Sequence, residues 1–261
     1  MEITNKNRVK KLLKEGKRVT GAWAQAASNI TTEVLADAGF DLVMVDMEHG
    51  PGDILTLISQ IQGMKGQPAV PFVRAPWNDF VMIKKILDAG TFGLLVPYVN
   101  TKEEAEAAVQ AVKYPLEGIR GVSGSPRGPH FGNNSMDYMK QANEEIFLMT
   151  AIETMEAVNN IDDLLSVDGL DGIFIGPMDL ATSMGHFGNS AHPEVQAVIK
   201  TIEEKVFASD KILATVGGSW EQATKKYERG YQLLLLMSDT VSLGAMARNI
   251  VKDFSEAFPE R

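Results

Sequence analysis

The chain has 261 residues, 44% of them hydrophobic and 23% charged, with no cysteine and a formal net charge of −9. That length and composition suit a globular protein with a sizeable core, and the lack of cysteine excludes disulfides, thiolate nucleophiles and cysteine-bound zinc or iron–sulfur centres. The acidic balance argues against a general binder of nucleic acid or anionic membrane, which needs a net basic face.

The first residues, Met1 to Lys6, form no apolar h-region, so no secretory signal is expected. Apolar runs such as Leu233 to Met237 fall far short of the ~20 residues that span a bilayer, and the expected location is the cytoplasm. The basic stretch Lys6 to Lys17 reads as a solvated first helix with Val9, Leu12 and Leu13 on its inner stripe. From there apolar and amphipathic segments alternate. Strands are predicted over 19–24, 41–46, 69–73, 92–96, 147–152, 171–175, 212–216 and 231–236, and helices over 29–38, 53–64, 78–88, 101–113, 155–166, 193–208, 219–228 and 239–254. Thr101 with Glu104 and Ser219 with Gln222 fit capping boxes, Asn78 is the predicted N-cap of its helix, and Pro193 suits a first helical turn. Gly39, Gly90 and Gly230 stand where helices should end in left-handed caps.

Eight strand–helix units in one chain predict a (β/α)8 TIM barrel occupying residues 1–261 as a single domain. A doubly wound open sheet needs no eighth unit and carries a glycine fingerprint after its first strand, whereas Gln25 to Asn29 follows here. One connection is unusually long: residues 114–146 include a glycine- and proline-rich run from Gly118 to Gly132 that leaves from the bottom of the barrel.

The functional face of such a barrel is built at the carboxyl ends of its strands. In chain order those ends bring Gln25, then Asp46, Glu48 and His49, then Arg74, Pro97 and Tyr98, Glu153, and Asp179. Carboxylates at the ends of apolar strands need a reason, because burying a charge is costly unless it is paired or metal-bound. Glu153 and Asp179, from adjacent strands, are candidate ligands for a hard divalent cation, Mg²⁺ or Mn²⁺ with Co²⁺ as an alternative. The competing role for each is to cap the following helix. His49 suits a general base near neutral pH, against a plain turn histidine. Arg74 can hold a carboxylate or a developing oxyanion, or pair with Asp46 or Glu48 next door. No lysine lies within a predicted strand, which disfavours Schiff-base chemistry.

These motifs, taken in order, resemble the 4-hydroxy-2-oxoheptanedioate aldolase family, the metal-dependent class II pyruvate aldolases that include 2-keto-3-deoxy sugar acid aldolases. The resemblance covers nearly the whole chain through Asp46 to Gly50, Val73 to Pro76, Asp88 to Gly90, Pro97 to Val99, Gly118 to Gly121, Ile152 to Thr154 and Gly172 to Leu180. It implies a lyase that cleaves a 4-hydroxy-2-oxo acid to pyruvate and an aldehyde. It implies Glu153 and Asp179 as metal ligands, His49 as base, Arg74 as stabiliser of negative charge and Asp88 as the residue that raises the basicity of His49. It implies substrate contacts at the backbone of Met178 and Asp179, and at Ala151, where many members carry glutamine. It also implies a homo-hexamer with the last helix exchanged between subunits. The alternatives are an oxaloacetate decarboxylase or acyl-CoA lyase on the same site, or a non-catalytic barrel that binds oxo acids; neither nucleic acid nor membrane is an expected partner.

Overall fold

The computed structural model describes residues 5–133 and 135–260. The first half comprises α1 (Arg8–Lys14), β1 (Val19–Ala24), α2 (Asn29–Asp37), β2 (Leu42–Asp46), α3 (Ile54–Gly63), β3 (Val70–Arg74), α4 (Phe80–Asp88), β4 (Gly93–Val96) and α5 (Lys102–Val112). The second comprises α6 (Ser135–Glu145), β5 (Phe147–Ile152), α7 (Met155–Asn159), α8 (Ile161–Leu165), β6 (Gly172–Ile175), α9 (Pro177–Ser183), α10 (Pro193–Phe207), β7 (Ile212–Val216), α11 (Trp220–Arg229), β8 (Leu233–Ser238) and α12 (Asp239–Ala257). The strands close in order from β1 to β8, all parallel. The eight-stranded barrel expected from the alternation is what forms.

Two apolar layers hold it. Along each strand, alternate residues turn inward and outward. Leu42, Met44, Phe72, Phe147, Met149 and Phe174 fill the interior, while Val43, Val45, Leu94, Leu148 and Ile173 join the helices. Because both faces are covered, β2, β4, β5 and β6 are buried along their whole length, which is why they read as unbroken apolar runs. Most helices start just after a strand end with a side-chain cap: Ser28, Asp53, Thr101, Thr154, Ser219 and Ser238 each accept a backbone N–H from the first turn. The two capping boxes form as expected. Asn78 is not the cap of α4; Asp79 is, accepting from the Met82 amide at 2.7 Å, and Asn78 reaches the Glu104 carbonyl instead.

Three further differences bear on the site. Lys10, expected on a solvated face, is buried and joins α1 to the barrel floor, bonding the Ile146 carbonyl at 2.7 Å and Asp171. The helical segment over 155–166 is broken at Asn160 into α7 and α8. The 114–146 connection contains a helix, α6, whose short stripe of Tyr138 and Ala142 packs on Tyr114. The rest of that connection stays at the bottom: Gly128 donates to the Asp88 carbonyl, Arg127 to the Ala89 carbonyl, and Arg120 pairs with the Asp88 carboxylate at 3.0 Å. Among the described residues no helix is long and apolar enough to cross a membrane.

Candidate active site

The end of β2 is the hub. Asp46 and Arg74 are register partners on β2 and β3, so their side chains leave the barrel side by side. Arg74 grips Asp46 with Nε at 2.9 Å and Nη2 at 2.7 Å, a bidentate pair. Gln25 adds a bond at 2.8 Å, and the amides of Glu48 and His49 bond the same carboxylate. Burial alone would raise the Asp46 pKa, but the Arg74 bonds and charge, helped by Gln25 and His49, outweigh it and hold the carboxyl below its ordinary range. Ser238 and Asp239 fix Gln25 in turn, at its side chain and its amide. Below the guanidinium lies the Trp23 ring, 4.5 Å from Arg74 Cζ. The turn after β2 is tight enough to require glycine: a Cβ on Gly50 would sit 2.1 Å from the Asp46 carbonyl oxygen.

Arg74 also faces a second carboxylate. Its Nη1 is 3.0 Å from Glu48 Oε2, an oxygen buried without a hydrogen bond. Burial pushes the Glu48 carboxyl up, and the charges of Asp46 and Asp179 push the same way against Arg74 and His49. His49 is largely exposed at the mouth, its Nε2 3.7 Å from Glu48 Oε2.

Glu153, just past β5, is the third carboxylate. It is 5% exposed, and Oε1 accepts the Tyr98 amide at 2.7 Å. Tyr98 donates from a left-handed backbone, φ 55°, a conformation that aromatic residues seldom adopt away from functional sites. Its ring stacks on Trp77, centroids 5.8 Å apart, and both are about half exposed on the rim. Oε2 of Glu153 approaches Gly176, where a Cβ would lie 2.7 Å from it, so only glycine leaves that oxygen its place. Burial pushes the Glu153 pKa up to about 7; the Tyr98 bond opposes this, while the charges of Glu48 and Asp179 add to it.

Asp179 lies in the first turn of α9, directly after β6, and is exposed. The capping role open to both carboxylates is not the one they take. Thr154 caps α7, and Gly176 stands at the N-cap of α9 without a side-chain cap, beside the amides of Met178 and Asp179. Among the described residues, no trio that includes both Glu153 and Asp179 has its carboxylate or imidazole ligand atoms all within 4.8 Å of one another. Ala151 is buried in the barrel interior two residues below Glu153.

Thus Asp46, Glu48, His49, Arg74, Glu153 and Asp179 share one rim. Asp88 does not join them within one chain. It ends α4, which runs from the mouth down to the bottom, and Arg120 holds it there. Sequence reading passed over Trp23 and Gly176; their signals were an aromatic residue near a strand end and a glycine immediately after one.

A family model described as HpcH/HpaI aldolase/citrate lyase matches residues 19–243. The chain belongs to that family. It is a carbon–carbon lyase, as the ordered motifs implied. Similar proteins include the 5-keto-4-deoxy-D-glucarate aldolase of Salmonella paratyphi C, 41% identical over 236 residues, covering 90% of this chain and 92% of the relative. The enzyme of the same name from Escherichia coli K12 is 43% identical over 219 residues, covering 84% and 85%. Among solved structures, an HpcH/HpaI aldolase/citrate lyase family protein from Burkholderia cenocepacia superposes with a TM-score of 0.91 at 29% identity, covering 95% of this chain and 99% of that one.

Proposed function

We propose that this lyase acts in the cytoplasm on a 4-hydroxy-2-oxo sugar diacid of the 5-keto-4-deoxy-D-glucarate type. Cleavage would release pyruvate and a shorter aldehyde, with a divalent cation, Mg²⁺ or Mn²⁺, held by Glu153 and Asp179. The substrate class follows the names of the relatives. The observation that carries the metal is Glu153. A buried carboxylate pushed up to about 7, among like charges and with one oxygen kept clear by Gly176, is a poor resting anion and a good ligand. An all-oxygen donor set of two side chains suits a hard dication that keeps positions for water and substrate.

When bound, such an ion polarises the 2-oxo group and spreads the charge left on the three-carbon fragment. The protein supplies the rest. His49, exposed at the mouth, takes the proton of the 4-hydroxyl as the C3–C4 bond breaks; that oxygen becomes the aldehyde carbonyl and the electron pair stays with C3 as the enolate of pyruvate. Arg74 faces the negative oxygen from a position fixed by Asp46 and Trp23, so little reorganisation accompanies charge development. The open amides at the start of α9 suit the substrate carboxylate. The Trp77–Tyr98 pair forms a wall for the departing aldehyde.

Pyruvate release from a 4-hydroxy-2-oxo acid tests this reading. Activity should require Mg²⁺ or Mn²⁺, vanish on chelation and in Glu153→Gln, and leave no borohydride-trapped pyruvate adduct. Turnover without metal overturns it.

The chain also presents an unusual apolar face. α12 exposes Val241, Leu243, Met246, Ile250, Val251 and Phe254, and of its 19 residues only Asp239 is buried. A face of that size suits a second copy of the chain. A hexamer with α12 exchanged between subunits would cover it, and only across such an interface could an Asp88 act on a His49.

A further inference from the structure

The segment that follows α9 carries groups the lyase chemistry leaves unused. Its turns are bonded in series: the His186 amide to Ala181, Asn189 to His186, His192 to Asn189, and Gln196 to His192. They bring two histidines, six positions apart, into face-to-face contact, ring centroids 3.6 Å apart and planes 17° from parallel. Glu194, in the first turn of α10, closes the group, with Oε2 at 2.9 Å from His186 Nε2. One ligand atom from each of His186, His192 and Glu194 lies within 4.8 Å of the others, and among the described residues no other trio of such side chains is as close.

We propose that His186, His192 and Glu194 form a second metal site, for a borderline transition-metal dication of the zinc or cobalt class. Two imidazoles and one carboxylate are a donor set that zinc accepts with water in a fourth position, and that Mg²⁺ does not favour. The half-buried His186 and the exposed Glu194 leave room for that water. The ion takes the place of the proton between His186 Nε2 and Glu194 Oε2, so binding needs that nitrogen free of its proton. An imidazole lone pair lies in the ring plane, so the stacked rings take up one ion only when His192 rotates about its side-chain bonds, giving up the long 3.3 Å bond from the Glu194 amide to Nδ1. The site clasps the end of the α9 segment to the start of α10. It uses none of the carboxylates of the barrel mouth, and its existence does not depend on their role.

Zinc binding by competition with a chromogenic chelator tests it, with the full-length Glu153→Gln protein used so that the mouth site cannot report. That protein should bind one equivalent of Zn²⁺ tightly and gain thermal stability from it. Co²⁺ in its place should give the strong visible absorption of a tetrahedral site. Adding His186→Ala should weaken Zn²⁺ by at least ~100-fold, since losing even a partner of a ligand costs ~10–100-fold. His192→Asn, which keeps a side chain able to cap α10, should do the same without unfolding the helix. Absence of tight zinc binding in Glu153→Gln, or zinc binding that survives both histidine changes, overturns the proposal.

Discussion

The Glu153 carboxyl should make the metal-free protein less stable as the solution becomes less acidic. Burial pushes its native pKa from 4.5 up to about 7, with Glu48 and Asp179 adding to the shift. Between those values the folded chain holds a proton that the unfolded chain has already lost, so stability falls as pH rises through the window and levels off above it. At 1.36 kcal/mol per pH unit, the gap between 4.5 and about 7 is worth about 3 kcal/mol at its fullest. For a chain of this length that corresponds to roughly 6 °C in Tm. Glu48 is also raised by burial and adds a slope of the same sign. Asp46 works in a separate range: its lowered pKa gives stability that is present at neutral pH and is lost only as pH falls below 3.8. The assay is thermal or urea unfolding of chelated protein at fixed concentration from pH 4.5 to 8, wild type against Glu153→Gln. The glutamine variant should be the more stable of the two at pH 8 and show a flatter profile. Mg²⁺ or Mn²⁺ at pH 8 should recover the loss in wild type and not in the variant. If the two metal-free proteins share one pH profile, burial does not raise the Glu153 pKa.

Asp46→Ala should cost about 3–5 kcal/mol and abolish activity, because it leaves the Arg74 charge buried without its bidentate partner; denaturant midpoints and pyruvate release measure the two effects. Gly176→Ala puts a Cβ 2.7 Å from Glu153 Oε2, so it should weaken Mn²⁺ binding by about 10–100-fold while the unfolding temperature changes little; unchanged metal affinity would refute the fit. Tyr98→Gly keeps the left-handed backbone and the amide that holds Glu153 but removes the ring stacked on Trp77, so it should lose about 0.5–1.5 kcal/mol of stability beyond buried area and raise the aldehyde KM in the synthetic direction with metal affinity unchanged. If the exposed apolar face of α12 is covered by a second copy as proposed, Met246→Asp combined with Ile250→Asp should shift the protein to smaller species by sedimentation.

What the sequence revealed and what it hid divide along a physical line. The barrel was legible because parallel strands covered on both faces must be apolar throughout, and Val43 to Val45 or Leu148 to Ile152 have no other economical use. The capping boxes at Thr101 and Ser219 were legible because the partners lie three residues apart and need no tertiary information. The short α9 and the weakly amphipathic α6 were not, since a few residues such as Tyr138 and Ala142 leave too little periodicity to detect. The choice of Asp79 over Asn78 as a cap turned on a one-residue difference in where α4 begins, which pattern alone fixes poorly.

At the site, the same line separates residue type from environment. Asp46, Glu48, His49, Arg74, Glu153 and Asp179 were visible as charges at strand ends, but the sequence could not say which charge is satisfied. The structure separates them: Asp46 accepts five hydrogen bonds and stays an anion, whereas Glu153 has one amide bond and a glycine beside its second oxygen. A carboxylate that already has its partners positions other groups, and one that lacks them has capacity left to bind. That difference separates the part of the mouth that orients Arg74 from the part suited to a cation. Asp88 follows the same logic in reverse, because Arg120 already occupies it at the barrel bottom. In the proposed assembly an Asp88 would reach a His49 only by competing with that pair, so disrupting the apolar face of α12 should lower pyruvate release while leaving the Asp46–Arg74 pair intact.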